Sequence, residues 1–266
     1  SFHLIFPEAE LEEVDENEKI KTIHWNMQSY LEQGIFQKYE KSYVYVERTL
    51  KNGSIRRGLI GMIDLEAYDY SENSSSRIRA TEKTVTCRIP PRVRIREDAP
   101  VELPHVLLLC DDRSDGLMKW LSGKKEEMRK IYNFNLMKEG GHISGWLVSG
   151  KLAKDFEKQI TSYENISAEM PYAVGDGNHS LATAKVCYEN YKKTHSDTEN
   201  ANAPARYAMV ELENIHDKAL EFSPIYRIVT ETDEEALLDE LQKTCCAPEG
   251  YPVQWYTKER QGVLYL

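Results

Sequence analysis

The sequence predicts an α+β protein with a mixed, largely antiparallel sheet and flanking helices. Three observations predict this. Short apolar or alternating runs that read as strands recur along the chain. One pair of them, within residues 42–65, is joined by Lys51-Asn-Gly-Ser54, and Asn-Gly tolerates the positive φ angles of a tight hairpin loop. Helix-period segments fall between the strands loosely, without the regular strand–helix–strand repeat of a doubly wound parallel sheet.

Taken in order, Ser1–Pro7 reads as a short strand, and acidic Glu8–Glu18 as surface. Ile20 to Leu31 reads as an amphipathic helix, with Ile23, Met27, Tyr30 and Leu31 on one stripe and Gly34 as its stop. The hairpin strands are Tyr43–Glu47 and Leu59–Leu65, and Ser71–Ser76 is a loop. Arg77–Arg96 holds six arginines and Lys83. Within it Arg92, Arg94 and Arg96 alternate with Val93 and Ile95, the period of a strand with three arginines on one face. Pro104–Cys110 is a buried strand, Leu117–Tyr132 a helix, Ile143–Val148 a strand and Leu152–Ser162 a helix. A short apolar run then reaches Gly175, and a helix is expected from about His179 to about Lys193. His195–Ala203 reads as a loop, Arg206–Glu211 and Phe222–Val229 as strands. Thr232–Thr244 is a helix whose acidic first turn suits its dipole, and Val253–Tyr256 with Val263–Leu266 is a closing hairpin. The chain reads as one unit over 1–266, with a subdivision into 1–112 and 113–266 as the alternative. Its start without methionine and its end on a strand suggest a piece of a longer protein.

Composition narrows the function classes. With 41% hydrophobic residues there is material for a real core. A formal charge of −10 disfavours broad nucleic-acid or anionic-membrane binding. No apolar run approaches the roughly 20 residues of a membrane span. The five cysteines are scattered without a Cys-x-x-Cys pair, so a reduced cytoplasmic setting is expected rather than a disulfide framework or zinc ribbon. Homo-oligomerisation is left open.

Two stretches carry candidate chemistry. The first is Pro171–Lys185, a strand, a polar turn and a helix start in succession. Gly175 and Gly177 permit backbone shapes and close approaches that other residues resist. The helix start presents unpaired N–H groups with a partial positive charge behind them, an anion-friendly place in which Asn178 and Ser180 add donors. Asp176 and His179 stand at its mouth, able to act on a proton or a metal. The competing reading is an ordinary capped helix start, since Asp, Asn and Ser are all common N-cap residues. The second stretch is the arginine-rich run. Glu82 sits within it as a candidate general base. Arg79 and Arg88 are candidate phosphate grips, because a guanidinium forks onto phosphate oxygens. The alternative is a solvated, salt-bridged face. Arg227 is a further candidate ligand at a strand end, and His105 opens a buried strand. The spacing of the other histidines supports no metal cluster, and no P-loop, dinucleotide fingerprint or nucleophile elbow is present.

These blocks, in their order, resemble domain-of-unknown-function family 1015. The signature turn, usually Asp-Gly-His-His-Arg, falls at Asp176–Ser180. Ala80-Thr-Glu-Lys-Thr84 is similar to its His-Glu-x-Thr element, and Leu220-Glu-Phe-Ser-Pro-Ile-Tyr-Arg227 to its Pro-x-His-Arg segment. Gly58–Leu65, Leu107–Asp112 and Gly145–Val148 follow suit. The turn is in addition similar to that of the ParB/sulfiredoxin superfamily, which implies a ParB/sulfiredoxin-like core. Some members of that superfamily are ATP- or ADP-dependent kinases of small hydroxyl substrates. The resemblance implies Glu82 as base, with Asp176, Gly177 and His179 cradling phosphate or Mg²⁺. It implies ATP or ADP with Mg²⁺ as cofactor and a small molecule as substrate. The chain departs from the pattern at Thr81, Asn178, Ser180 and Tyr226. Ser180 in place of arginine removes a two-point phosphate grip that Arg79, Arg88 or Arg227 would have to replace. The resulting expectation is a nucleotide- or phosphate-binding protein with phosphotransferase activity. The alternative is a non-catalytic ligand-binding or regulatory module, DNA-associated by analogy.

Overall fold

The computed structural model describes residues 2–7, 16–103, 105–167, 169–221, 228–247 and 249–265. They fall into two compact units, Ser1–Glu221 and Phe222–Leu266.

The large unit is α+β, as its mixture of hairpins and helix-period segments predicts. Its strands are β1 (Ser42–Thr49), β2 (Ile55–Asp64), β3 (Tyr68–Asp69), β4 (Ile78–Ala80), β5 (Leu107–Cys110), β6 (Arg129–Asn135), β7 (His142–Ser149), β8 (Tyr172–Asp176) and β9 (Tyr207–Asn214). Its helices are α1 (Glu16–Glu32), α2 (Ile89–Arg96), α3 (Gly116–Gly123), α4 (Gly150–Ile166), α5 (Asn178–Lys192) and α6 (Asp197–Asn202). The nine strands form one sheet in the order β3-β4-β8-β5-β9-β2-β1-β7-β6. Five of the eight neighbouring pairs are antiparallel. The other three, β3–β4, β4–β8 and β5–β9, are parallel. The small unit holds α7 (Glu234–Thr244) and the hairpin of β10 (Pro252–Tyr256) and β11 (Gln261–Tyr265). Asp233 caps α7 by accepting from Ala236 N at 2.9 Å.

One core serves the large unit. Leu108, Val174, Val210 and Leu212 of the sheet share it with Leu121 of α3, Phe156 of α4 and Leu181 of α5. Each such side chain contributes roughly 1.5–3 kcal/mol through burial. A smaller cluster joins Leu4 to Ile23 and Met27 of α1. Strand β9 divides its residues by parity. Ala208, Val210 and Leu212 enter the main core, and Glu211 and Glu213 lie on the opposite face.

Several expectations need correction. Phe2–Leu4 is a 3-10 turn, not part of a strand, because Leu4 packs on α1. The Arg-Val-Arg-Ile-Arg alternation lies in helix α2, so the three arginines form no strand stripe. Pro90 and Pro91 occupy its first turn, where a fixed φ favours helix and a missing N–H costs nothing. Arg94 pairs with Glu16, and Arg96 with Glu102 at 2.6 Å. The helix expected to reach Tyr132 stops at Gly123, and Arg129–Asn135 becomes β6, paired along β7. The expected loop His195–Ala203 contains α6, started by a reciprocal capping box of Ser196 and Glu199. Within Phe222–Val229, residues 222–227 lie outside the described residues, and Ile228 and Val229 are not in a strand. The suggested boundary at 112/113 is crossed by the sheet, since β1 pairs with β7 and β2 with β9.

Candidate functional site

The turn after β8 has the expected form. Gly177 takes φ 86° and stands as N-cap of α5. A Cβ there would meet His105 O and Val106 at 3.2 Å, so both conformation and space favour glycine. Gly175 lies against Leu109, whose side chain an added Cβ would meet at 2.8 Å. Asp176 is exposed, and its Oδ1 accepts from Gly177 N at 2.7 Å. The first bond of α5 runs from Leu181 N to Gly177 O, which leaves the N–H groups of Asn178, His179 and Ser180 without intrahelical partners.

Glu82 comes to this turn from 96 residues away along the chain. Asn178 Nδ2 donates to Glu82 Oε1 at 3.3 Å. Thr81 Oγ1 donates to Val174 O at 2.6 Å, and Val85 N donates to His179 Nε2 at 3.2 Å. The segment 81–85 is therefore stitched to the end of β8 and the start of α5. Asn178 is only 3% exposed, and its Oδ1 has no hydrogen-bond partner. Among the described residues its buried amide is held in place through Glu82 alone.

The arginines behave differently. Arg79 is turned to the other end of β8, where its guanidinium donates to Ser76 O at 2.7 Å and Glu169 O at 3.3 Å. Arg88 is exposed in a short 3-10 turn, and its carbonyl accepts from Arg92 at 2.9 Å. Neither guanidinium meets Asp176 in the wall of the neighbouring cavity. Arg227 lies outside the described residues.

That cavity, of about 360 Å³, opens on the sheet face opposite the main core, with Asp176 in its wall. Its other charged lining comes from Arg48 of β1, Arg56 of β2, His105 just before β5, and Glu211 of β9. Sequence reasoning left Arg48, Arg56, Glu211 and Glu213 unremarked, and placed His105 only at the opening of a buried strand. Arg48 donates to Gly140 O through Nε and Nη2 at 3.2 and 3.1 Å. His105 Nε2 lies 2.7 Å from Glu211 Oε2. Arg56 Nε lies 2.7 Å from Glu213 Oε1. This last contact is a close ion pair without hydrogen-bond alignment, so neither Glu213 oxygen accepts a hydrogen bond from an N–H or hydroxyl donor among the described residues, and the neighbouring Glu211 carboxyl is the group that a protonated Glu213 meets. Glu213 is 0% exposed, Glu211 5%.

Burial, opposed by Arg56 and reinforced by Glu211, pushes the Glu213 carboxyl up to about 8. Burial raises Glu211 as well, but the bonded His105 and then Arg56 outweigh it and hold that carboxyl below its usual range. The bond to Glu211 lifts His105 above the ordinary imidazole value, against burial. Gly58 makes room for this arrangement, because a Cβ there would fall 2.3 Å from Glu211 Oε1. That glycine, paired beside β9, was the one available sequence signal of an inward-facing carboxylate.

A larger depression of about 450 Å³ involves Glu47, Lys125, Lys130 and Trp146. Its lysines are already engaged. Lys125 lies 3.0 Å from Glu47, and both lysines stand about 5 Å over the Trp146 ring. The smaller cavity, which holds Asp176, is the better candidate. Among the described residues no group of three His, Cys, Asp or Glu could hold a metal ion. No helix among them is long and apolar enough to cross a membrane.

Comparison with curated proteins and with solved structures finds no match. A family model does match, and it spans the hairpin, the turn and the cavity strands alike. It covers residues 1–265 under the description "protein of unknown function (DUF1015)", and the chain belongs to that family.

Proposed function

We propose that this protein binds a phosphate-bearing small molecule, in the first instance ATP or ADP, at the turn and its cavity, and transfers a phosphoryl group to a small hydroxyl substrate. One observation carries the reading. The turn that presents Asp176 to a cavity with Arg48 and Arg56 also holds Glu82 through Asn178. The N–H groups of Asn178, His179 and Ser180, at the turn and outside the cavity wall, suit phosphate oxygens, and from the cavity beside Asp176 the two arginines supply the charge that Ser180 does not. Glu82 takes the proton of the acceptor hydroxyl while that oxygen attacks phosphorus. The bridging P–O bond breaks, and its electron pair leaves with the nucleotide. Mg²⁺ enters this reading only as a companion of the nucleotide, and no step is assigned to it. The likeness of the turn to ParB/sulfiredoxin proteins supports the same reading, and we place the protein in a reduced cytoplasmic setting, with which five free cysteines are in keeping.

Calorimetric titration of ATP, ADP and CTP with Mg²⁺ tests it. Glu82→Gln is expected to lose turnover and keep nucleotide binding. Binding no tighter than millimolar for all three nucleotides would refute the reading. A second reading, a non-catalytic ligand-binding or regulatory module, draws on Glu82 and His179 being occupied by Asn178 and Val85. It predicts tight binding without turnover in the intact protein. Pairing of Arg94 and Arg96 with acids speaks against DNA as its partner.

A further inference from the structure

We propose that the cavity beside the turn takes up a tetrahedral dianion together with a proton: Arg48 and Arg56 receive the anion, and the His105–Glu211 pair, backed by Glu213, holds the proton. The inference rests on the reading that this cavity accepts the ligand's phosphate, and it adds a coupling which that reading does not require.

The charges lining the cavity are Arg48 on β1, Arg56 on β2, Asp176 on β8 and Glu211 on β9, with His105 leading into β5; β7 lines it only with Ile143. Glu213 of β9 stands outside the lining, against Arg56, and the Tyr132 hydroxyl of β6, kept protonated by burial and by Glu211, is the further titratable group that Glu211 acts on. Asp217, beyond the end of β9, is bound to Arg57 and acts on Glu213 only at a distance. With His105 neutral and all three carboxyls ionised, the site carries a net charge of −1 and repels a dianion. A proton resident on the carboxyl pair brings the site to 0, and the one taken up on His105 brings it to +1, which attracts the dianion. The geometry provides for both protons. His105 Nε2 faces Glu211 Oε2 at 2.7 Å, which stabilises an imidazolium, and its side chain is 59% exposed, so protons reach it. Its Nδ1 has no hydrogen bond among the described residues and is free to donate to an anion. Glu213, fully buried and with no N–H or hydroxyl donor to its oxygens among the described residues, is the carboxyl best suited to staying neutral. Arg56 lies between the cavity and Glu213, so neutral Glu213 frees its guanidinium for a ligand.

Sulfate is the probe, because it stays a dianion across the neutral pH range and any pH dependence then belongs to the protein. Sulfate and ADP are titrated calorimetrically at about pH 6 and about pH 8 into the intact chain, His105→Gln and Glu211→Gln. The expected result is sulfate binding roughly tenfold or more tighter at the lower pH, the effect of one linked proton. His105→Gln should bind weakly at both values, with the dependence gone. His105 is exposed, so this variant keeps the test valid even where Glu211→Gln fails to fold. Sulfate binding independent of pH, or a pH dependence unchanged in His105→Gln, overturns the proposal. ADP binding without sulfate binding at either pH overturns it too and leaves the nucleotide reading standing. Failure of both ligands overturns both.

Discussion

Replacing Glu213 by glutamine keeps the shape of a buried carboxyl and removes its charge. In the folded protein burial pushes that carboxyl up to about 8, from the 4.5 of an ordinary glutamate. The native state therefore binds the proton more tightly than the unfolded chain. Stability from this group is complete below about pH 4.5 and is lost as pH rises towards 8. The gap between the two values sets a ceiling of roughly 5 kcal/mol. Glu211, held low, contributes in the opposite sense, but its change falls at acid pH, below this window. A net loss of about 3–4 kcal/mol between pH 5 and 8 is expected. For a unit of this size that is about 6–16 °C in the melting midpoint. Thermal unfolding followed by circular dichroism at pH 5, 6.5 and 8 measures it. The wild-type midpoint should fall along this series, and Glu213→Gln should fall much less, with the two proteins similar at pH 5. Parallel curves for the two proteins would refute the assignment of a neutral acid to this position.

Other outcomes follow from single contacts. Gly58→Ala places a methyl 2.3 Å from Glu211 Oε1 and should cost about 2–4 kcal/mol in denaturant unfolding; at least half of that cost should vanish in a Glu211→Ala background. Gly177→Ala, at φ 86° and against His105 O, should cost about 1–3 kcal/mol and weaken ADP binding measured by calorimetry. Asn178→Ala releases Glu82 and should cost about 1–2 kcal/mol, with faster amide exchange over residues 81–85 as its specific sign.

Much of the fold was legible because local chemistry and tertiary role agree in it. Asn52-Gly53 marks the β1–β2 hairpin, and Gly177 before a run of helix formers marks the start of α5. Where two local signals compete, period alone misleads. Arg92 to Arg96 alternate like a strand, yet Pro90 and Pro91 commit the segment to α2. Ser196 and Glu199 spell a capping box inside a polar stretch that composition marks as loop. The turn itself was legible, and so was the role of its glycines. The cavity was not. Arg48, Arg56, Glu211 and Glu213 sit on strands where charged residues read as solvent-facing, and only the sheet order β5-β9-β2-β1 brings them together. His105 illustrates the same limit, since its partner Glu211 lies 106 residues further along the chain.

The fit of Glu211 into the space beside Gly58 has a consequence for how this family can drift. The two positions are neighbours across β2 and β9, and only one of them can hold a large side chain on that face. A lineage can lose the carboxylate first and gain bulk at the glycine afterwards. The reverse order passes through a chain whose central strands are pushed apart. The order of change at this pair is therefore constrained in both directions: bulk at position 58 follows loss of the carboxylate, and the carboxylate returns only after the glycine does.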